Sequence, residues 1–137
     1  MILVDTGPLI ALFDPKDAAH GRCRQALKAI REPLCTTTPV LTEAFHLLSP
    51  DSLGSSCLRD FVARRGMSVW FLTEPTLLRA FELMEQYADQ AMDLADATLV
   101  AAAEALKTRK VFSIGRRDFD RYRLKRGHRY VGFEVLP

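Results

Sequence analysis

The chain is short of several things, and each shortage excludes a class. Its three cysteines, Cys23, Cys35 and Cys57, are an odd number with no C-x-x-C spacing. That pattern supports neither a disulfide framework nor a zinc knuckle, and makes a reducing cytoplasm the expected compartment. No uncharged run approaches the roughly 20 residues that cross a bilayer. Asp5 interrupts the only early apolar run and no positive segment precedes it, so neither a membrane anchor nor a signal peptide is expected. Neither G-x-x-x-x-G-K-S/T nor G-x-G-x-x-G is present, which removes the glycine loops that cradle nucleotide phosphates. There is no G-x-S-x-G nucleophile elbow. The histidines His20, His46 and His128 are scattered singly. Lys and Arg number 19 against 17 Asp and Glu, a net +2, so the total charge by itself implies no partner.

What is present suits one folded domain over residues 1–137, with 48% hydrophobic and 26% charged residues. The run Ile2-Leu3-Val4 reads as a strand buried on both faces, stopped by Gly7-Pro8. Further strands are expected over 34–37, 68–72, 111–114 and 130–135. Helices are expected over 9–13, 17–30, 38–48, 50–64, 74–87 and 93–107, with Thr38-Pro39 opening the third. Strands alternating with helices predict an α/β/α sandwich with a mainly parallel central sheet of about five strands.

In such sheets ligands gather outside the carboxyl ends of the strands. Asp5 follows the first strand directly, and Glu43 lies in the first turns of the helix after the second. Asp93 and Asp96 open the helix before the fourth strand, and Asp118 lies just beyond it. Taken singly, Asp5 and Asp93 are also explained as helix caps, and Glu43 as a solvated first-turn residue. Asp96 is harder to dismiss, because Leu99, Val100 and Ala103 continue its side of the helix and turn that face toward the sheet. Carboxylates brought to one rim repel, by roughly 4 kcal/mol per pair at 4 Å and an effective dielectric near 20. Protons or cations must neutralise them. Oxygen donors without a Cys or His cluster favour Mg²⁺ or Mn²⁺, the ions of phosphoryl-transfer sites.

The positive charge is concentrated. Residues 107–129 hold ten basic side chains against Asp118 and Asp120, whereas the rest of the chain holds nine against fifteen acidic ones. A basic flank beside an acidic metal site suits a polyanion with its scissile phosphate over the metal, and a solvated basic surface is the alternative. Tyr122 and Tyr130 belong to this region, where core packing is the expected use and base stacking the alternative.

The opening I-L-V-D-T-G-P-L-I-A-L, the T-P-V-L-T-E-A around Glu43, M-D-L-A-D-A-T-L-V-A-A-A-E and F-S-I-G-R-R-D-F together resemble the PIN domain, and within it the VapC-type ribonuclease toxins of toxin–antitoxin pairs. The resemblance implies a Rossmann-like sandwich and a metal-dependent endonuclease acting on RNA. It also implies a VapB-like antitoxin partner and a homodimer. Carried over by position, it makes Asp5, Glu43 and Asp96 the metal-binding acids and Asp93 a supporting catalytic residue, with Thr6 and Ser113 hydroxyls beside the site; Asp118 is expected to support catalysis as the stand-in for a fourth acid. Gly115 stands where the family often has a fourth acid. That departure makes an RNA-binding module with impaired catalysis the alternative expectation.

Overall fold

The computed structural model describes residues 1–115 and 117–137; Arg116, one of the ten basic residues of 107–129, lies outside them. Five strands form one wholly parallel sheet: β1 (Ile2–Val4), β2 (Leu34–Thr37), β3 (Ser68–Trp70), β4 (Lys110–Phe112) and β7 (Glu134–Leu136), in the order β3-β2-β1-β4-β7. Every residue of β1 and β2 is buried. The apolar strand β1, without alternation, therefore takes the central position, where helices cover both faces.

The helices are α1 (Thr6–Phe13), α2 (His20–Ala29), α3 (Thr38–Leu48), α4 (Leu53–Ala63), α5 (Glu74–Gln86), α6 (Leu94–Leu106) and the short α7 (Asp118–Arg121). Helix α1 begins three residues earlier than the sequence suggests, because Asp5 caps it through Oδ1, accepting from the Thr6 amide at 2.8 Å. Helix α2 starts at His20 rather than Asp17: the carboxyl of Asp17 is engaged with the Ala19 amide in a preceding turn. Helix α4 starts after Ser52, whose hydroxyl accepts from the Ser55 amide.

In α6, alanines at 95, 97, 101, 102 and 103 are buried, and small side chains let the helix approach both the sheet and α5. Thr98 of α6 and Thr37 at the end of β2 share a buried hydrogen bond of 2.8 Å between their hydroxyls. This contact fixes the start of α6 against the carboxyl end of β2.

The expected fifth strand over 130–135 is two strands. Residues Arg129–Gly132 form β6, antiparallel to β5 (Arg123–Arg126), and only Glu134–Leu136 joins the main sheet beside β4. The turn Gly127-His128, with φ +64 at Gly127, closes that hairpin. The third strand ends at Trp70, leaving Phe71 69% exposed. The fourth runs from Lys110 to Phe112, so Ser113 and Ile114 lie beyond it. Among the described residues no helix is long and apolar enough to cross a membrane.

Candidate active site

The chain lays β2 and β3 on one side of β1, then returns to lay β4 and β7 on the other. The order reverses between β1 and β4, which places a crevice at the carboxyl ends of those two strands. Asp5 leaves β1 there, its amide donating to the Phe112 carbonyl of β4 at 2.9 Å. From the end of β4, the Ser113 hydroxyl reaches back to Asp5 Oδ2 at 2.8 Å. The start of α1 lies against the same loop: a Cβ on Gly7 would stand 3.0 Å from Ile114 Cγ1, so glycine permits this approach.

Helix α3 enters from the second strand, with Thr37 as its cap and Pro39 in its first turn, and carries Glu43. Helix α6 enters with Asp93 as its cap, Oδ1 accepting from the Asp96 amide at 2.8 Å. That places Asp96 in the first turn, facing inward. Asp118, at the start of α7, closes the ring.

Asp5, Glu43, Asp93, Asp96 and Asp118 all line one cleft of about 290 Å³, with Thr6, Ile10 and Ile114 among its other walls. The structure thus brings together every acid singled out in the sequence, and among the described residues no basic side chain lines the cleft. Asp93 is both cap and cleft wall, so its two readings are compatible. Gly115 is exposed and left-handed at φ +85, and a side chain there would meet nothing within 4 Å of its Cβ. The loop after β4 supplies its acid from Asp118 instead.

The acids perturb one another. Burial pushes the Asp5 carboxyl up to about 6, opposed by the hydrogen bonds from Ser113 and the Thr6 amide and reinforced by the charges of Glu43 and Asp93. Burial also pushes Asp96 up to about 7, with Asp5 and Asp93 adding to the rise, the Tyr122 hydrogen bond opposing it and Asp118 reinforcing it. Among the described residues no three carboxylate, imidazole or thiol groups stand close enough to form a closed cation cage. The site is an open cleft lined with negative charge.

Sequence reasoning missed the importance of one position. Tyr122 is fully buried, packs edge-on against Tyr87 and Phe119, and donates its hydroxyl to Asp96 Oδ2 at 2.9 Å. Burial, then the Asp96 charge, raises its own pKa, so it stays a donor. The signal was the alternation Arg121-Tyr122-Arg123-Leu124, in which Tyr122 and Leu124 face inward. The basic stretch is also divided: Asp118 and Tyr122 serve the cleft, whereas Arg109, Arg126 and Arg129 line a separate cavity.

The PIN domain family matches residues 2–125. Ribonuclease VapC26 of Mycobacterium tuberculosis is 24% identical over 139 residues, spanning 99% of this chain and all of that protein. Among solved structures, Mycobacterium tuberculosis VapC20, described as a toxin that cleaves the sarcin–ricin loop, superposes with a TM-score of 0.79 at 20% identity, over 85% of this chain and 92% of that one. A toxin–antitoxin complex from Klebsiella pneumoniae superposes with a TM-score of 0.67 at 19% identity, over 87% and 90%. With its acids gathered at the β1–β4 crevice and the family match running through β1, α3, α6 and α7, the chain belongs to the PIN domain family.

Proposed function

We propose that this chain is a metal-dependent endoribonuclease, the VapC-like toxin of a toxin–antitoxin pair, hydrolysing RNA phosphodiester bonds with Mg²⁺ or Mn²⁺ held directly by Asp5 and Asp96 and through water by Glu43. The observation that carries the reading is the convergence of five carboxyl groups, from four separate segments, on one cleft without a basic side chain among the described residues. The names of the relatives, a ribonuclease and toxins, support the same class.

The residues fit a hard cation. All the donors are oxygens, and Thr6 Oγ1 is a buried hydroxyl with no hydrogen-bond partner among the described residues, on the wall of the same cleft. An open cleft also suits Mg²⁺, which keeps several waters and takes only one or two carboxylates directly. When bound, such an ion activates water for attack on phosphorus and stabilises the leaving oxygen, giving a 3′-hydroxyl and a 5′-phosphate.

The chain's own groups have separable tasks. Ser113 holds Asp5 and Tyr122 holds Asp96, so both carboxylates are fixed at the cleft wall. Glu43, from α3, orients the attacking water. Asp93 and Asp118 maintain the negative lining. Asp118 on the cleft wall supports the nuclease over a purely binding module, since the loop that lacks an acid at Gly115 carries one three residues later. The reading carries with it an antitoxin that covers the cleft, a homodimer and a cytoplasmic location.

The test is cleavage of single-stranded RNA by the purified chain with Mg²⁺ or Mn²⁺ and with EDTA. Cleavage is expected only with metal, and Asp96→Asn is expected to fold but lose at least about 100-fold in rate, about 2.7 kcal/mol of transition-state stabilisation. Full activity in Asp96→Asn, or equal cleavage in EDTA, overturns the reading.

A further inference from the structure

The hairpin β5–β6 collects positive charge at a place the cleft does not use. Arg126 and Arg129 sit directly opposite each other in its register, an arrangement that destabilises an antiparallel pair when the charges are alike. Arg109, from the residue before β4, joins them, and the three line one cavity of about 350 Å³ with Val131. Among the described residues no carboxylate lines that cavity, and none of the three arginines forms an ion pair.

Two of the guanidinium groups are held in place by backbone. Arg109 Nε donates to the Gly132 carbonyl at 2.8 Å, and Arg126 Nη2 to the Lys107 carbonyl at 3.4 Å. Each guanidinium has five N–H donors, so these contacts orient the groups and leave most of their donors unused among the described residues. Like charges converge here as they do in the cleft, with the opposite sign, and the chemistry that neutralises them is an oxyanion.

Arg109 and Ser113 lie at opposite ends of β4. Four residues of strand at about 3.3 Å each separate them by about 13 Å. The cavity is therefore too remote for the phosphate that is cut.

We propose that Arg109, Arg126 and Arg129 form a remote anchoring site for the phosphodiester backbone of the RNA, away from the scissile bond. The inference rests on the endoribonuclease reading of the cleft. It makes the substrate long or folded enough to touch both ends of β4. The site supplies affinity without reading sequence, because phosphate contacts position nucleic acid and do not distinguish bases.

The test uses the full chain and Arg126→Gln/Arg129→Gln, which alters two exposed side chains and leaves Arg109 on its carbonyl. Binding of a fluorescent single-stranded RNA of about 30 nucleotides is followed by anisotropy in EDTA across a salt series. The slope of log affinity against log salt is expected to fall by about 1.4, at about 0.7 for each lost phosphate contact on a single strand. A charge-matched control, Arg59→Gln/Arg65→Gln on the exposed surface around the end of α4, is expected to keep the original slope. With metal, the hairpin variant is expected to raise KM about tenfold and leave kcat unchanged. An unchanged slope and KM overturn the anchoring site while leaving the nuclease reading intact. Loss of binding to a polyglutamate of about 30 residues with RNA binding preserved also overturns it, and assigns the arginines to an acidic protein. An unmodified chain that neither binds nor cuts RNA overturns the nuclease reading itself.

Discussion

The Tyr122 hydroxyl donates to Asp96 Oδ2 at 2.9 Å, linking the end of α7 to the first turn of α6. This bond lowers the Asp96 pKa against burial and the charges of Asp5 and Asp93. Tyr122→Phe keeps the ring that packs on Tyr87 and Phe119 and removes only the bond. Asp96 then holds its proton to higher pH. The acid limb of the pH–rate profile should move up, with metal affinity falling about 10- to 100-fold at neutral pH, as for other groups that orient a ligand. Titration of activity against Mn²⁺ at several pH values measures both effects. An unmoved limb means that the tyrosine serves packing alone.

Asp5 and Asp96, raised to about 6 and about 7 from 3.8, bind more protons in the folded chain than in the unfolded one between about pH 4 and 7. The sign follows from that difference: their contribution to stability is full below about pH 4 and is lost as pH rises through the folded values. Without metal, the folded state should lose about 3–7 kcal/mol over this range, at about 1.4 kcal/mol for each tenfold change in a carboxyl's proton affinity. Urea denaturation in EDTA should show the midpoint falling from about pH 5 to about pH 8. Asp96→Asn, whose amide oxygen still accepts from Tyr122, should flatten that fall and be the more stable protein at the alkaline end. A midpoint that climbs with pH contradicts the raised carboxyls, whose first cause is burial and whose second is their repulsion.

Glu104 of α6 is the hub of a second polar cluster. It accepts from Arg79 Nε and Nη2 of α5 at 2.8 and 2.9 Å, and from the Lys125 amide of β5 at 2.6 Å. The Arg79 guanidinium is held above its ordinary range by these bonds. A two-pronged, partly buried pair of this kind is worth more than an exposed one. Glu104→Gln should therefore cost about 1–3 kcal/mol and loosen the hairpin. Denaturation midpoints check the stability, and amide exchange at Lys125 checks the hairpin.

The sequence was most legible where one physical demand acts at a time. Ile2-Leu3-Val4 has no polar residue to turn outward, so it reads as a central strand, and an acid placed just after it has to lie at the sheet's mouth. Asp93 and Asp96 share a helical face by spacing alone. The hairpin was obscured because its outward residues, Arg123, Lys125, Arg126 and Arg129, make the segment look like a solvated basic run. Only the inward Tyr122 and Leu124 carry the period of a strand. The boundary between β6 and β7 was hidden for another reason: Tyr130 to Val135 is one continuous β-forming run, and its division depends on which neighbour each half pairs with. Nothing local records that choice. Asp118 reaches the cleft wall from the start of α7, three residues past Gly115, and no local pattern in the sequence records that reach.

The order in which the sheet is laid down governs when the cleft comes into being during synthesis. While a nascent chain stops short of β4, β1 is an outer edge, the Asp5 amide lacks the Phe112 carbonyl and Asp5 lacks the hydroxyl of Ser113. Tyr122 arrives later still. A chain still tethered to the ribosome has made four of its five cleft acids by the end of α6 yet has no assembled centre. The interval between α6 and Tyr122, on the order of a second or more at about 5–20 residues per second, therefore passes with most of the acids made and the centre not yet formed.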